Sequence, residues 1–398
     1  MCVPALRYAG VLALALLLWS PPGVAAEVSL IPLPAFDTDP NAGETYGVLP
    51  VLLFRDQANQ VRRILAPSVT YNEVRGFTGT FRYFNYPGPL ERLEVVAGYS
   101  ETIERKADVH YRNLDLFAGR FHADLQLLHD RDASIRFFGL GAESPVQRET
   151  NMTLEVTGAY AIFGVNITPR ARLSLGETLQ RFNVLKGGIP GLPFTGDVFP
   201  TLPGVNGATV HAQRVALIYD DRDSLTTPTQ GLFASVFAEA SSQLLGSAAD
   251  YVKSGLEAVY LRPLGTDRVI FVARGLVEAL TGGADTPFEV LPTLGGFTTL
   301  RGFGQNRFFG NARVVLNLET RLRVLKLTLF DIATELEVAP FVDVGKVFNS
   351  FKEFTRVPFE VTPGIGFRGL TPPSVVGHID VGFSREGVAI FVGLDYPF

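Results

Sequence analysis

Segments of about ten residues in which apolar and polar side chains alternate recur from Glu27 to the end of the chain, separated by Gly, Asp, Asn and Pro. Phe77 to Tyr86, Thr153 to Ala161, Ala171 to Thr178, Tyr251 to Tyr260 and Ala312 to Leu322 are examples. A period of two gives a strand one dry and one wet face. Strands of soluble sandwiches average about five or six residues, whereas a tilted strand needs ~9–11 to cross a bilayer. These segments match the longer figure. Forty Gly and 26 Pro in 398 residues set aside a helical bundle. After the N-terminal stretch there is no apolar run of about 18 residues, so membrane-spanning helices are not available. A sheet in hydrocarbon must close, because an open edge leaves N–H and C=O groups unpaired. The expected fold is all-β, a transmembrane antiparallel β-barrel. About seventeen candidate strands lie between Gly43 and Phe398, and single-chain outer-membrane barrels have even strand numbers, so sixteen strands are expected. The segment Asp130 to Arg148 is the weakest strand candidate.

The N-terminus reads as a secretory signal. Arg7 is followed by apolar Tyr8 to Trp19, then Ser20-Pro21-Pro22-Gly23 and the small residues Val24-Ala25-Ala26. The apolar part is shorter than the ~20 residues of a membrane-spanning helix, so residues 1–26 are expected to be removed and 27–398 to form the barrel. The one cysteine is Cys2, so the mature chain has no disulfide to rely on. A net charge of -5 and the absence of a basic run speak against a nucleic-acid partner. The implied location is the outer membrane of a Gram-negative bacterium, with outer-membrane lipids and lipopolysaccharide as surroundings.

At the C-terminus, Ile390, Val392, Leu394, Tyr396 and Phe398 alternate onto one face, with Gly393, Asp395 and Pro397 on the other. Tyr396 and Phe398 are thereby expected to form a terminal assembly signal, read by the barrel assembly machinery during biogenesis. Two segments are irregular. Leu185 to Ala208 reads as a surface loop, its prolines limiting its freedom, with plugging of the lumen as the alternative, and Thr281 to Gly310 is the second.

That second segment contains Leu294-Gly295-Gly296-Phe297-Thr298-Thr299-Leu300-Arg301-Gly302-Phe303-Gly304. It resembles the Gly-Gly then Arg-Gly-aromatic loop of the bacterial surface antigen family, the BamA/TamA-type outer-membrane protein assembly factors. Three further stretches resemble the family in its order. They are Tyr219-Asp220-Asp221-Arg222-Asp223 with Pro228 to Gly231, Asn317-Leu318-Glu319-Thr320-Arg321, and Phe341-Val342-Asp343-Val344-Gly345-Lys346-Val347-Phe348. The closing part, Gly364 to Phe398 with His378 to Phe383, is also similar. The resemblance is good from Gly207 onward and weak before it. Assembly factors of this family usually carry POTRA domains ahead of the barrel, and Glu27 to Gly43 is too short for one, so a barrel lacking POTRA domains is expected.

The loop motif has its own physical sense. An arginine folded into a lumen needs carboxylates, and a guanidinium offers bidentate pairing. Arg301 is expected to meet Glu319, Asp343 or both, carried on the strands after the loop. Gly302 would let the backbone turn sharply beside Arg301, and Phe303 would wedge against the wall. Carboxylate density at Asp220 to Asp223 lacks the spacing of a calcium loop. The histidines His110, His122, His129, His211 and His378 form no pattern typical of a zinc or catalytic site, and Gly302-x-Gly304 is not a dinucleotide fingerprint. No catalytic residue, metal ligand or cofactor site is expected, so an enzyme is set aside.

Two functions stay open. The resemblance implies insertion or translocation of unfolded outer-membrane protein clients through a seam between a first strand near Gly43 to Phe54 and a last near Val388 to Phe398, by β-augmentation. Gly43, Gly47 and Pro50 would weaken that seam. The alternative is a passive pore or structural barrel without insertase activity.

Overall fold

The computed structural model describes residues 27–39, 41–58, 60–329, 332–371, 374–393 and 396–398, so the expected leader with Cys2 lies outside the described residues. The first strands are β1 Glu27–Asp39, β2 Gly43–Arg55, β3 Val61–Leu65, β4 Ser68–Asn72, β5 Gly76–Gly88, β6 Glu91–Ser100 and β7 Arg105–Asp115. They are followed by β8 Phe121–Phe137, β9 Thr150–Asn166, β10 Ala171–Lys186, β11 Ala208–Asp220, β12 Gly231–Ser241, β13 Tyr251–Leu264 and β14 Thr266–Gly282. The last are β15 Thr293–Leu294, β16 Phe308–Phe309, β17 Ala312–Leu329, β18 Ile332–Phe348, β19 Glu360–Thr371, β20 Ser374–Ser384 and β21 Gly387–Gly393. All but β15 and β16, which pair with each other inside the long loop, belong to one antiparallel sheet of nineteen strands.

The alternation does what its period requires. On β10, Leu173, Leu175 and Leu179 project outward and stay exposed, while Ser174 between them is buried on the inner face. An exposed apolar band around the outside of such a sheet is stable only against lipid. Among the described residues no helix is long and apolar enough to cross a membrane.

The strand number corrects the expectation of sixteen. β3 and β4 both pair with β2 on one side and with β5 on the other, so they are halves of one stave broken at Ala66-Pro67. The sheet therefore has eighteen staves among the described residues, one fewer than its nineteen strands. Seventeen of them lie between Gly43 and Phe398, so an even number required one more strand, not one less. The extra stave is β1, in the stretch Glu27 to Gly43 that lies ahead of the seventeen expected strands and is too short for a POTRA domain. Asp130 to Arg148 is not a strand of its own; β8 takes its first part, and a turn at Val146–Arg148 its end.

The composition of β1 hides it from a period-two reading. Val28, Leu30 and Phe36 are exposed outside, yet inward Ile31 packs with Val51, Leu53, Val61 and Ala66, flanked by Leu33 and Leu49. Both faces are apolar, and Pro32 and Pro34 interrupt the strand. Pro32 lies opposite Pro50. A hydrogen-bonded pair exchanges two N–H donors and two prolines have none, so stereochemistry assigns this pair to the non-hydrogen-bonded position. Pro32 and Pro34 then face the free edge of β1, where proline is tolerated.

The mouth of the barrel on the long-loop side is domed over. Phe137, Met152, Leu202, Val205, Phe288 and Phe309 form a buried cluster, with Phe194 and Phe199 against it. Leu185 to Ala208 is thus a cover for the mouth, not an exposed surface loop, because its apolar residues need a partner surface. The Phe288 amide donates to Pro203 O at 3.0 Å, stitching this cover to the long loop.

Next to that stitch, both carboxyl oxygens of Glu289 are buried without a donor among the described residues. Burial pushes its pKa up to about 8. The docked loop holds a proton that an undocked loop loses near pH 4.5, so docking is strongest in acid and weakens as pH rises toward 8, above which a bare carboxylate is buried. Limited proteolysis of residues 187–207 should therefore be slower at about pH 5 than at about pH 9 in the native chain, and insensitive to pH in Glu289→Gln. Equal pH dependence in both would exclude Glu289 as the cause.

Candidate functional site

The long loop between β14 and β17 folds into the lumen, and its arginine is the centre of a buried ion cluster. Arg301 is fully buried. Its Nε and Nη2 donate to Asp343 Oδ2 and Oδ1 at 2.9 and 2.8 Å, and its backbone N–H to Asp343 Oδ2 at 3.0 Å. Nη1 donates to Glu319 Oε2 at 2.8 Å and to Asp380 Oδ1 at 3.1 Å. The structure brings Arg301 to both carboxylates named from the sequence, and to a third that was not.

Glu319 is shared. Arg321 Nε donates to it at 2.9 Å, and Arg368 donates to both of its oxygens at 2.7 and 2.8 Å. Arg368 also reaches Glu337 and Asp380, each at 3.2 Å. Asn317 donates to Asp343 at 2.8 Å and to Thr299 O in the loop at 2.7 Å. Three guanidinium groups and four carboxylates from β17, β18, β19, β20 and the loop therefore share one water-poor knot. Buried charges persist only when paired and hydrogen-bonded, and here the pairing is dense.

Two glycines make the approach possible. A Cβ on Gly364 would lie 2.2 Å from the Phe341 ring; without it that ring lies across β19. The Arg301 guanidinium then stacks 3.4 Å from the Phe341 centroid. Gly302 was expected to serve a sharp turn, but its φ is not positive. It is needed for close packing, since a Cβ there would meet Thr362 Cγ2 at 2.6 Å and Phe383 O at 2.8 Å. Phe303 is buried among Leu276, Leu294, Leu300, Phe308, Val315 and Val347, edge-on to Phe308 at 5.1 Å.

A second arginine of the loop was missed in the sequence. Arg307 pairs with Glu386 at 2.8 Å, donates to Ser144 Oγ and O at 2.9 and 2.8 Å, and lies over Phe138 at 4.0 Å. It ties the loop to the dome and to the β20–β21 turn. The Asp220 to Asp223 hairpin closes on itself instead of a metal: Arg222 is bidentate to Asp220, and Asp223 accepts from the Thr229 and Gln230 amides. No group of metal-ligating side chains occurs among the described residues. His122 contacts Ser174 Oγ and Asn166 Oδ1, each at 2.9 Å, but both His122 and Ser174 are buried, so this chain of polar groups presents no open face to a substrate.

The terminal aromatics are not on the outer face. Tyr396 stacks 3.6 Å above Arg321 inside the lumen, and Phe398 packs against Val259, Leu261, Ile270 and Val272. Beside the knot the lumen holds a cavity of about 1080 Å³, lined by Arg82, Arg92, Lys106 and Asp130 on one side and by Glu337 and Arg368 on the other.

An antiparallel sheet whose first and last strands lie side by side, with an apolar outer band and a loop clamped by arginine in its lumen, defines an outer-membrane β-barrel. A model of the Omp85 superfamily domain matches residues 85–372, more than half of the chain, and the chain belongs to that superfamily. The fold is similar to BamA from Haemophilus ducreyi lacking POTRA domains 1–3, with a TM-score of 0.56 at 14% identity over 92% of this chain and 74% of that one. It is also similar to CdiB from Escherichia coli, with a TM-score of 0.52 at 12% identity over 94% of this chain and 62% of that one. No curated protein matches the sequence.

Removing one partner of a buried pair costs about 3–5 kcal/mol, against roughly 0–1 for an exposed one. Arg301→Ala and Asp343→Ala are each expected to destabilise the barrel toward the upper figure in urea refolding, and the double variant to lose clearly less than the sum. Additive losses, with a loop no more protease-sensitive than in the native chain, would mean that the pair does not hold the loop.

Proposed function

We propose that the chain assembles or translocates other outer-membrane proteins by opening the seam between β1 and β21 and offering an edge to a client strand. The observation that carries this reading is the seam itself. Every other neighbouring pair of staves has a hydrogen-bonded register, whereas β1 and β21 lie side by side without one among the described residues. The seam is bounded by Glu27–Asp39, not by the expected Gly43 to Phe54. Gly43, Gly47 and Pro50 lie one strand away, and Pro32 and Pro34 take over the role of weakening it. Among the described residues β21 offers seven residues to a thirteen-residue β1. Ile31, Leu33 and Gly393 border the lumen cavity, so an opened seam gives onto open space.

In this reading residues 1–26 are a cleaved signal, the membrane is the outer membrane of a Gram-negative bacterium, and lipids and lipopolysaccharide surround the barrel. The Arg301 clasp holds the lumen loop in place, and Tyr396 with Phe398 guide the chain's own assembly. The passive pore is the second reading; the cavity favours it, the dome does not.

Refolded protein in liposomes tests the two together. Since Cys2 is the one native cysteine, cysteine pairs placed between Ile31–Ala35 and Ala389–Gly393 of the mature chain form only across the seam. The reduced protein should speed the folding of an unrelated barrel severalfold, and oxidation should abolish the gain. Equal acceleration with the seam locked would exclude the seam mechanism, and stable conductance without acceleration would establish the pore.

A further inference from the structure

The half of the lumen that the loop leaves open joins two surfaces of opposite character. Thr78, Thr80, Arg82 and Phe84 of β5 line it, and the half-buried Arg82 guanidinium has one hydrogen-bond partner among the described residues, Ser68 Oγ at 2.9 Å, and no ion pair. The carboxylates along the same wall are engaged elsewhere. Glu94 pairs with Arg92 and Glu104 with Arg75, and Asp130 lies opposite Lys106. Asp108 accepts from Gln126 at 3.0 Å, and Asp132 from the Ser134 amide at 2.8 Å. Thr78 Oγ1 is also buried without a hydrogen bond among the described residues. Next to this polar stripe, Ile31, Leu33 and Leu49 bring the apolar inner wall of β1 and β2 into the cavity, and Phe84 and Val96, the latter opposite Arg82, extend it. A half-buried cation short of an anion and an apolar wall in an otherwise charged lumen are each poorly served by water alone.

We propose that this half of the lumen is a binding site for one anionic single-chain lipid, its carboxylate or phosphate on Arg82 and its acyl chain along Ile31, Leu33, Leu49 and Phe84. A guanidinium offers an anionic head group two parallel hydrogen bonds, and Thr78 and Thr80 add hydroxyls on the same strand. The cavity of about 1080 Å³ stands at the upper end of ligand pockets, which run from about 300 to 1,000 Å³. It has room for a head group and an acyl chain together. Burial of each methylene raises affinity roughly four-fold, so the apolar wall supplies the strength of binding. The cation sets the orientation and discriminates against neutral chains. Access follows from where the wall lies. Ile31 and Leu33 border the cavity beside Val392 and Gly393 of β21, at the junction of the first and last strands, so the acyl chain lies next to the one unzipped join of the sheet among the described residues. The site shares no ligand group with the Arg301 clasp, and it holds under either the assembly or the pore reading.

The refolded chain from Glu27 onward, checked for heat-modifiable folding, is placed in phosphatidylcholine vesicles with palmitate carrying a mid-chain diazirine, irradiated, and mapped residue by residue by mass spectrometry. Adducts are expected on the outer belt at Leu173, Leu175 and Leu179, which any membrane lipid reaches, and on the inner wall at Ile31, Leu33 and Leu49. Excess unlabelled palmitate should lower the inner adducts about ten-fold and leave the belt unchanged, whereas excess methyl palmitate, which has no charge, should spare both. Inorganic phosphate, which shares the anionic head but has no chain, should not displace the probe. Arg82→Gln should cut the inner adducts about ten-fold with the belt unchanged, and Arg82→Lys should restore most of them. Should Arg82→Gln not fold, the palmitate and methyl palmitate arms on the native chain decide. Labelling of the belt alone, equal displacement by palmitate and its methyl ester, displacement by phosphate, or inner adducts that survive Arg82→Gln in a folded barrel overturns the proposal.

Discussion

Glu319 is the residue on which the interior depends. Its two oxygens accept from Arg301, Arg321 and Arg368 at once, and those arginines in turn reach Asp343, Asp380 and Glu337. A lone buried charge is far too costly to maintain, so none of these groups can be where it is without the others. One consequence is geometric. The cluster holds the long loop against β17, β18, β19 and β20 and so fixes which half of the lumen is filled. The other half is left as the cavity that reaches the seam.

The same constraint explains why the two halves of the barrel differ. The C-terminal staves carry the charged knot and are covered by loop and tail. The N-terminal staves β1 and β2 line their inner face with Ile31, Val51 and Leu53 and end in an edge from which Pro32 and Pro34 remove two donors. Strong, many-centred pairing lies on one side of the seam and weak pairing on the other. In the assembly reading proposed above, a barrel built this way would yield at the seam without unravelling, as local stability in folded proteins follows local contact density.

Much of this was legible in the sequence where a single face repeats. Arg301, Glu319 and Asp343 could be named because a charged residue on an inward face needs a partner, and the loop precedes the strands that bear them. Arg321 shares the face of Asn317 and Glu319, so period two alone could have added it. Arg368, Glu337 and Asp380 required the register, in which Glu337 lies opposite Arg368, and register is not written in one strand. β1 escaped because both of its faces are apolar and Pro32 and Pro34 read as breakers. The direction of Tyr396 and Phe398 escaped because alternation describes a strand only while it keeps pairing, and Tyr396 and Phe398 belong to no strand pairing among the described residues.

One buried cluster holds loop and tail together. Native-state hydrogen exchange measures it directly. Amides of Thr299, Arg301 and Phe303 should exchange as slowly as those of β17, and Glu319→Gln should speed exchange in that loop and at Phe398 together while β9 and β10 keep their protection. Fast loop exchange in the native chain, or loop and tail responding independently to Glu319→Gln, would contradict it.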